Sequence, residues 1–376
     1  MKRKRLLCLM IAMLLAVFMA TGCDSSETNS GNGGEAENQS YEAGTYTATI
    51  YGYLSDVTVE TTFSESEITE VSVVEQNETP ELFTLVEEQV PAAIVEHQSL
   101  SVDSVTGATM SSVAVVRAVS DCVEQAGADP SALRAKEIEK QAGEDEVYET
   151  DVVVVGLGAS GFMAAHNAAI NGADVMAIEK GASVAVSNGV KVSGPFAVDT
   201  PVLREMDSKL TVGKAFYHMM DYSHWSVNAP LVRRSLETSK EAVTQLMDMG
   251  YEFREADFRF ETPFKNEYGG FHLILNPLEE RVNIWENTLE KDGVDVLFDT
   301  TGEKLIQDGD EIVGVEATKK DGTKVTVNAD AVILATGGFV GNKEMVREYF
   351  SGAEINPAGG SLSTGDGINM AVEVGA

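Results

Sequence analysis

Seven consecutive residues, Asp103-Ser104-Val105-Thr106-Gly107-Ala108-Thr109, place hydroxyl groups and a carboxylate around one glycine. They lie between a strand-like stretch and a helical pattern that begins near Val113. A glycine turn ahead of a helix presents a hydroxyl at the helix N-terminus, where backbone N–H groups and the helix dipole favour an anionic phosphate. Taken alone, however, these residues favour a simple capped turn.

A second glycine-rich run could bind a dinucleotide. Gly156-Leu157-Gly158-Ala159-Ser160-Gly161 follows an apolar strand and opens a helix. Glycines at these positions permit a tight turn, close approach of a pyrophosphate and close helix packing. Glu179 ends the next strand eighteen residues after Gly161, where its carboxylate can accept hydrogen bonds from a ribose and repel a 2'-phosphate. The fingerprint alone leaves NAD and FAD open.

The first run resembles the D-x-x-[ST]-G-A-T motif of FMN-binding domains in respiratory quinone and ferredoxin oxidoreductases and in extracellular flavin reductases. The resemblance covers about residues 41–125. It implies that a flavin transferase joins FMN through a phosphoester to Thr109 and that Asp103 is needed for recognition or transfer. Thr106, Gly107 and Ala108 complete the motif.

Three segments beyond the glycine fingerprint carry a second resemblance: Glu179-Lys180, Ala335-Thr336-Gly337-Gly338-Phe339 and Ser363-Thr364-Gly365-Asp366-Gly367. Together they are similar to the FAD-binding domain of the fumarate reductase and succinate dehydrogenase flavoproteins, which include flavocytochrome-type fumarate reductases and urocanate reductase. The resemblance favours FAD over NAD. It implies that the following residues line the adenosine, pyrophosphate and ribityl chain: Gly156, Gly158, Ala159, Ser160, Gly161, Glu179, Lys180, Ala335, Thr336, Gly337, Gly338, Thr364, Gly365, Asp366 and Gly367.

The sequence departs from this family in two places. The usual Gly-Gly-Asn-Ser run is replaced by residues 182–189, which leaves Ser187 and Asn188 as candidate flavin contacts. The chain also ends at Ala376, where the family continues into a capping domain that carries the proton-donating arginine and the substrate-binding histidines. We therefore expect an incomplete FAD-binding domain, from a fragment or a truncated gene, and name no catalytic residue. Four side chains have the chemistry of substrate ligands but are interpreted as surface or structural residues: His272, Arg233, Arg234 and Arg281.

The two resemblances imply a flavin-dependent oxidoreductase that reduces the carbon–carbon double bond of a small unsaturated carboxylate, of the fumarate or urocanate type. A membrane electron donor and covalent FMN would supply electrons, while FAD would reduce the substrate. Two alternatives remain open. One is an FAD dehydrogenase of the ketosteroid type, and the other is an electron-transfer flavoprotein without substrate turnover.

The elements that must position these motifs follow from apolar periodicity. Alternating residues predict strands at 46–54, 57–63 and 68–74, and helical spacing covers 82–97 and 113–123. A β-α-β pattern follows at 151–155, 159–171 and 174–178, then a strand at 294–298 and a meander from Leu305 to Val327. The fold class is an α/β Rossmann-like FAD-binding domain (150–376) preceded by a small α+β FMN-binding domain (43–127). A helical connector (128–149) joins them.

The first 22 residues place four basic side chains before an apolar run that stops at Ala-Thr-Gly-Cys23. The apolar run is shorter than the roughly 20 residues that span a bilayer, so a signal peptide is favoured over a transmembrane helix. The residues before Cys23 resemble a bacterial lipobox, which implies lipidation of Cys23 and a location on the outer face of the cytoplasmic membrane. The polar residues of segment 23–42 predict a flexible acidic tether.

Composition excludes several classes of function. The net charge of −33, with no Lys or Arg from Asp24 to Val116, repels phosphate backbones, so no nucleic-acid partner is expected. Of three cysteines, only Cys122 lies in the mature body, so neither a disulfide framework nor a cysteine zinc site can form, and no metal is expected.

Overall fold

The fold is seen in a computed structural model that describes residues 40–205, 207–255, 270–352 and 360–376. The predicted signal peptide, Cys23 and the part of the predicted tether up to residue 39 lie outside the described residues.

Three amphipathic strands form the sheet of the small domain. Val57, Val59 and Phe63 are buried on the middle strand because successive side chains of a strand point to opposite faces. All pairings are antiparallel, which confirms the three predicted strands, and the order in the sheet follows the chain: β1 (Gly44–Tyr51), β2 (Asp56–Phe63) and β3 (Ile68–Glu75).

Two helices cover the buried face of this sheet, α1 (Pro80–His97) and α2 (Thr109–Gln125). Pro80 starts α1, where its missing N–H and fixed φ are tolerated. Ala118 and Val119 of α2 are fully buried. Both helices confirm the sequence pattern, and α2 begins at Thr109 rather than near Val113.

The connector between the domains differs from the sequence prediction. We expected a helix from Pro130 to Glu146, but helix α3 covers only Pro130–Ala135, and residues 136–145 have no regular secondary structure. Glu146 already belongs to the strand β4 (Glu146–Val155), where it pairs with Val325. Pairing with Val325 therefore overrides helical propensity from Glu146 onward.

A six-stranded mixed sheet forms the second domain, in the order β8-β5-β4-β11-β10-β9. Strands β8, β5, β4 and β11 are parallel to one another, as the β-α-β pattern predicted. The meander adds β10 and β9, which are antiparallel, at one edge. The last strand of the predicted meander continues past Val327 to Leu334 as one strand, β11 (Lys324–Leu334). The remaining bounds are β5 (Val175–Ile178), β8 (Asp295–Leu297), β9 (Thr300–Asp308), β10 (Glu311–Lys319) and β11 (Lys324–Leu334).

Helices α4 (Ala159–Ile170) and α9 (Leu278–Asp292) pack together on one face of this sheet. Phe162 stacks on Trp285 with ring centroids 4.2 Å apart. The other described elements are β6 (Phe253–Glu255), β7 (His272–Ile274), α5 (Asn188–Lys191), α6 (Pro201–Glu205), α7 (Val212–Tyr222), α8 (Ala229–Asp248), α10 (Lys343–Tyr349) and α11 (Asp366–Glu373).

Residues Ser40–Ala376 form one compact unit. A single cluster of buried apolar side chains runs from Val57 and Ile94 in the small domain to Phe162 and Val184 beside the mixed sheet. The two predicted domains therefore share apolar packing.

Candidate flavin sites

The loop before α2 is shaped by its own hydrogen bonds. Gly107 has φ of +91°, a left-handed conformation that glycine adopts without steric cost. The Ala108 N–H donates to the Val105 carbonyl at 3.0 Å. The Ser112 hydroxyl accepts from the Val105 N–H at 3.1 Å and donates to the Ala108 carbonyl at 3.0 Å. These bonds turn the chain so that Thr109 becomes the exposed first residue of α2.

The start of α2 suits a phosphate. Ala108 is the N-cap residue, and its side chain has no oxygen that could accept a hydrogen bond from the first turn. The first N–H groups of a helix lack partners within the helix and carry the positive end of its dipole. A phosphate esterified to the Thr109 hydroxyl can accept hydrogen bonds from these groups, so the residues present fit the FMN attachment that the motif implies.

Glu78 was missed by the sequence analysis and lies beside this helix start. One carboxylate oxygen accepts hydrogen bonds from the backbone N–H groups of Tyr53, Leu54 and Ser55 at 2.9, 2.9 and 3.0 Å. The other accepts from the Ser111 hydroxyl at 2.7 Å. Burial alone would raise the pKa of Glu78, but the bonds from Leu54, Ser111, Ser55 and Tyr53 lower it below its usual value. The only sequence signal was an acid next to a Pro-started helix, which is also typical of ordinary helix starts.

Apolar side chains are exposed near Thr109. Tyr53 and Leu54, on the β1–β2 turn, are 62% and 55% exposed, and Met110 is 60% exposed. Glu78 ties this turn to Ser111, in the same helical turn as Thr109 and Met110. The predicted FMN acceptor therefore lies in a partly apolar surrounding.

The glycine fingerprint joins β4 to α4 as predicted. Gly156 has φ of +96°, and a Cβ atom there would lie 2.7 Å from the Ala335 carbonyl oxygen. A Cβ at Gly161 would collide with the Gly156 carbonyl oxygen. At Gly158, the N-cap residue of α4, a Cβ would meet no protein atom within 4 Å. Two of the glycines permit close backbone packing, and Gly158 leaves room for a ligand at the helix start. Ala159 and Ser160 are exposed at this first turn.

Glu179 and Lys180 follow β5, at the carboxyl edge of the parallel strands. Glu179 is buried, and its two oxygens accept from the Leu157 and Gly181 N–H groups, each at 2.7 Å. A carboxylate has about four acceptor positions, so hydrogen bonds from a ribose remain compatible with these two. The Lys180 ammonium donates to the Thr364 hydroxyl at 2.6 Å and to Asp366 at 2.7 Å.

The two later segments meet the fingerprint at the same edge. The Ala335 N–H donates to the Val155 carbonyl at 2.8 Å, which extends β11 beside the fingerprint. The Thr336 hydroxyl accepts from the Gly367 N–H at 3.2 Å, and the Gly338 carbonyl accepts from the Gly365 N–H at 3.1 Å. Gly337 and Gly338 are exposed, and Gly337 has φ of +76°.

Ser187 and Asn188 lie at the start of α5. Ser187 caps α5 through a hydrogen bond from the Gly189 N–H at 3.0 Å. A Cβ at Gly189 would lie 2.5 Å from the Ala159 backbone nitrogen, so this segment packs against the start of α4. Asn188 is exposed. The structure thus brings both uncertain candidates beside the fingerprint.

Together these residues border the crevice where dinucleotides bind in open parallel sheets. The strand β4 lies between β5 and β11, so successive connections leave it in opposite directions. Ligands bind at the carboxyl ends of strands at such a switch point. The uncapped helix start, the open Gly158 and the buried Glu179 fit the adenosine diphosphate part of FAD.

The four side chains that the sequence analysis set aside lie in structural or surface positions. The His272 ring is buried, with its nitrogens 2.6 Å from the Thr200 hydroxyl and 3.0 Å from the Gly270 carbonyl. Burial lowers the pKa of His272, against the opposing effect of the Gly270 and Pro195 backbone carbonyls, which accept hydrogen bonds. Arg281 donates to the Val192 carbonyl at 2.7 Å. Arg233 pairs with Glu237 at 2.9 Å, and Arg234 is exposed.

Within the described ranges, no group of three His, Cys, Asp or Glu side chains is arranged to bind a metal ion. No helix in that part of the chain is long and apolar enough to span a bilayer.

Comparison with known proteins agrees with this geometry. The family model for the FAD binding domain matches residues 151–376, and the model for the FMN-binding domain matches residues 52–124. The first match covers more than half of the chain, so the chain belongs to the FAD binding domain family and also carries an FMN-binding domain. This confirms the predicted fold class and both flavin-binding domains.

Several relatives are reductases. An NADH:acrylate oxidoreductase of Vibrio harveyi is 26% identical over 401 aligned positions, which cover 89% of this chain and 40% of the relative. A urocanate reductase of Eggerthella lenta is 29% identical over 384 positions, which cover 97% of this chain and 61% of the relative. The chain thus spans 40% and 61% of the length of these two relatives.

A solved structure shares the fold of the second domain. The open conformation of a flavocytochrome c3 fumarate reductase superimposes with a TM-score of 0.54 at 24% identity. The match covers 65% of this chain and 46% of that protein.

Proposed function

We propose that this chain is part of an exported flavoprotein that reduces the carbon–carbon double bond of a small unsaturated carboxylate. The observation that carries the proposal is the joining of an exposed flavinylation threonine and an FAD crevice in one compact unit. The relatives named NADH:acrylate oxidoreductase and urocanate reductase support the substrate class.

Thr109 is the proposed acceptor of FMN. Its hydroxyl is exposed at the start of α2, where N–H groups can bind the phosphate, while Asp103 is exposed for recognition by a flavin transferase. The neighbouring Tyr53, Leu54 and Met110 offer apolar surface to a flavin ring.

The second flavin is held without a covalent bond. The α4 start binds the pyrophosphate, Glu179 binds the ribose, and the segments around Thr336 and Thr364 border the remaining length of the cofactor. When bound, FMN supplies electrons, and reduced FAD supplies hydride to the alkene while a proton from elsewhere completes the reduction.

Two alternative functions make different predictions. A dehydrogenase of the ketosteroid type would oxidise a ring substrate with an artificial electron acceptor, and an electron carrier would turn over neither substrate. Likeness of fold at 24% identity does not separate them. We favour reduction because an FMN-binding domain precedes the FAD-binding domain and provides a route for incoming electrons.

The experiment compares the full protein with its Thr109→Ala variant, both coexpressed with a flavin transferase. We expect the peptide that contains Thr109 to gain the mass of FMN less one water, and the variant to show no flavin fluorescence in a denaturing gel. Thr84→Ala, which removes an exposed threonine hydroxyl from α1, serves as the matched control and should keep the label.

Turnover is then measured with a reduced viologen and acrylate, fumarate or urocanate, and separately with a ketosteroid and an electron acceptor. Reduction of a carboxylate supports the proposal. Steroid oxidation, turnover of neither substrate by the full-length protein, or label that persists in Thr109→Ala would contradict it.

A further inference from the structure

The flavinylation loop is bonded to residues far away in the sequence. The Thr106 hydroxyl donates to the Asp299 carboxylate at 2.8 Å. The Lys320 ammonium donates to the Ser104 carbonyl at 2.7 Å. Asp299 and Lys320 both belong to the second domain, where they lie beside β8 and β10.

Packing accompanies these hydrogen bonds. A Cβ atom at Gly107 would collide with the side chain of Val186, so the loop backbone lies directly against the segment after β5. Val186 packs against the apolar cluster that both domains share. The glycine at position 107 therefore serves the docking of the loop as well as its own positive φ.

A continuous series of hydrogen bonds leads from this contact to the FAD fingerprint. The Asp299 N–H donates to the Gly181 carbonyl at 3.0 Å. The Gly181 N–H donates to one oxygen of Glu179, and the Leu157 N–H donates to the other, both at 2.7 Å. Leu157 is the second residue of the fingerprint. Four hydrogen bonds thus join Thr106 to the dinucleotide turn.

The residue at position 299 has two separate tasks. Its φ of +48° lies in the left-handed region, which asparagine and aspartate tolerate better than most residues. Its side chain accepts from Thr106, while its carbonyl accepts from the Lys320 N–H at 2.8 Å. Asp299 therefore orients Lys320 as well as binding the loop directly.

We propose that Asp299 and Lys320 are positioning residues that dock the flavinylation loop onto the FAD-binding domain and so fix Thr109 relative to the FAD fingerprint. We call the set Thr106, Asp299, Gly181, Glu179 and Leu157 the Asp299 bridge. Its importance for electron transfer rests on the proposed function, whereas the docking itself does not.

The test uses a double variant, Asp299→Gly with Lys320→Met. Glycine tolerates the positive φ but removes the carboxylate, and methionine keeps the apolar stem of lysine but removes the ammonium. The matched control is Asp299→Asn with Lys324→Met. Asparagine keeps an acceptor oxygen and the backbone conformation, and Lys324 is an exposed lysine that pairs with Glu303 on the same sheet.

The first measurement is hydrogen–deuterium exchange of the backbone amides of residues 104–108 in the full chain without flavin. Loss of the two loop contacts should speed exchange by about tenfold, because local opening no longer has to break them. The control should exchange at the wild-type rate. Equal rates in all three proteins would overturn the proposal.

The second measurement is the anisotropy decay of FMN fluorescence in the flavinylated protein. We expect a fast rotational component in the double variant and its absence in the wild type and the control. Faster exchange with unchanged FMN rotation would show a loosened loop that leaves the acceptor in place, which contradicts a positioning role. If the wild type carries no FMN on Thr109, the proposed function fails, while the exchange result still decides the docking.

Discussion

The carboxylate of Glu78 stabilises the small domain while it is ionised. Its hydrogen bonds to Tyr53, Leu54, Ser55 and Ser111 hold the pKa of Glu78 below its usual range. A depressed folded-state pKa adds stability above the pKa of the unfolded chain, and that stability is lost as the pH falls through the folded-state pKa. This residue should therefore make the fold sensitive to acid.

We expect Glu78→Gln to lower the free energy of unfolding by about 2–3 kcal/mol at pH 7, since an amide accepts through only one oxygen. Below the folded-state pKa of Glu78 the difference from the wild type should shrink. Urea unfolding over a series of pH values from 7 downward measures how this difference changes. Glu88→Gln makes the same chemical change on the exposed side of α1 and should have little effect. A Glu78→Gln protein as stable as this control at pH 7 would contradict the assignment.

The elements of the fold were largely predictable because their periodicity is local. The strand alternation in β2 and the apolar strand before Gly156 each follow from neighbours in sequence. What the sequence did not reveal depends on distant residues. β4 starts at Glu146 because β11 pairs with it, and Glu78 is buried because the β1–β2 turn folds over it. The contact between Thr106 and Asp299 spans 193 positions and leaves no local pattern.

In the candidate site, too, some features follow from local sequence and others depend on distant residues. Glycine spacing located the two helix starts that are candidates for phosphate binding, because backbone conformation limits which residues can form such turns. The partners of Glu179 could not be foreseen, since its bonds to Leu157 and Gly181 depend on how two loops fold together.

The start of α4 provides a sharp test of FAD binding. Gly158 has φ of −70° and ψ of −174°, which any residue can adopt, and a Cβ there meets no protein atom within 4 Å. We therefore expect Gly158→Ala to fold normally yet lose at least about tenfold in FAD affinity, because the methyl group enters the space of the pyrophosphate.

The amount of FAD that denaturant releases from each purified full-length protein measures this loss. Gly213→Ala is the matched control, since a Cβ at Gly213 in α7 also meets open space and lies in a helix without a fingerprint. FAD retained equally by the two variants would show that the pyrophosphate lies elsewhere.

At the scale of the whole molecule, the shared apolar cluster and the Asp299 bridge make the two domains one unit. Burial of each large aliphatic side chain in such a cluster contributes about 1.5–3 kcal/mol relative to exposure. Separation of the domains therefore carries a cost beyond the loss of the loop hydrogen bonds. This favours a fixed relation between the two flavin sites over a swinging FMN domain.

The N-terminal residues predict where in the cell this unit is located. The four basic residues, the short apolar run and Ala-Thr-Gly-Cys23 resemble a lipoprotein signal, so Cys23 should be lipidated and hold the protein on the outer face of the cytoplasmic membrane. Each buried CH₂ of an acyl chain contributes about 0.8 kcal/mol to membrane binding, so lipidation of Cys23 would oppose the repulsion of this highly acidic protein from anionic lipids. We expect labelled palmitate to enter the wild type in a bacterial host and to be absent from Cys23→Ala. Cys122→Ala, which removes the buried cysteine of α2, should keep the label. Palmitate label that persists in Cys23→Ala would contradict the lipidation of Cys23.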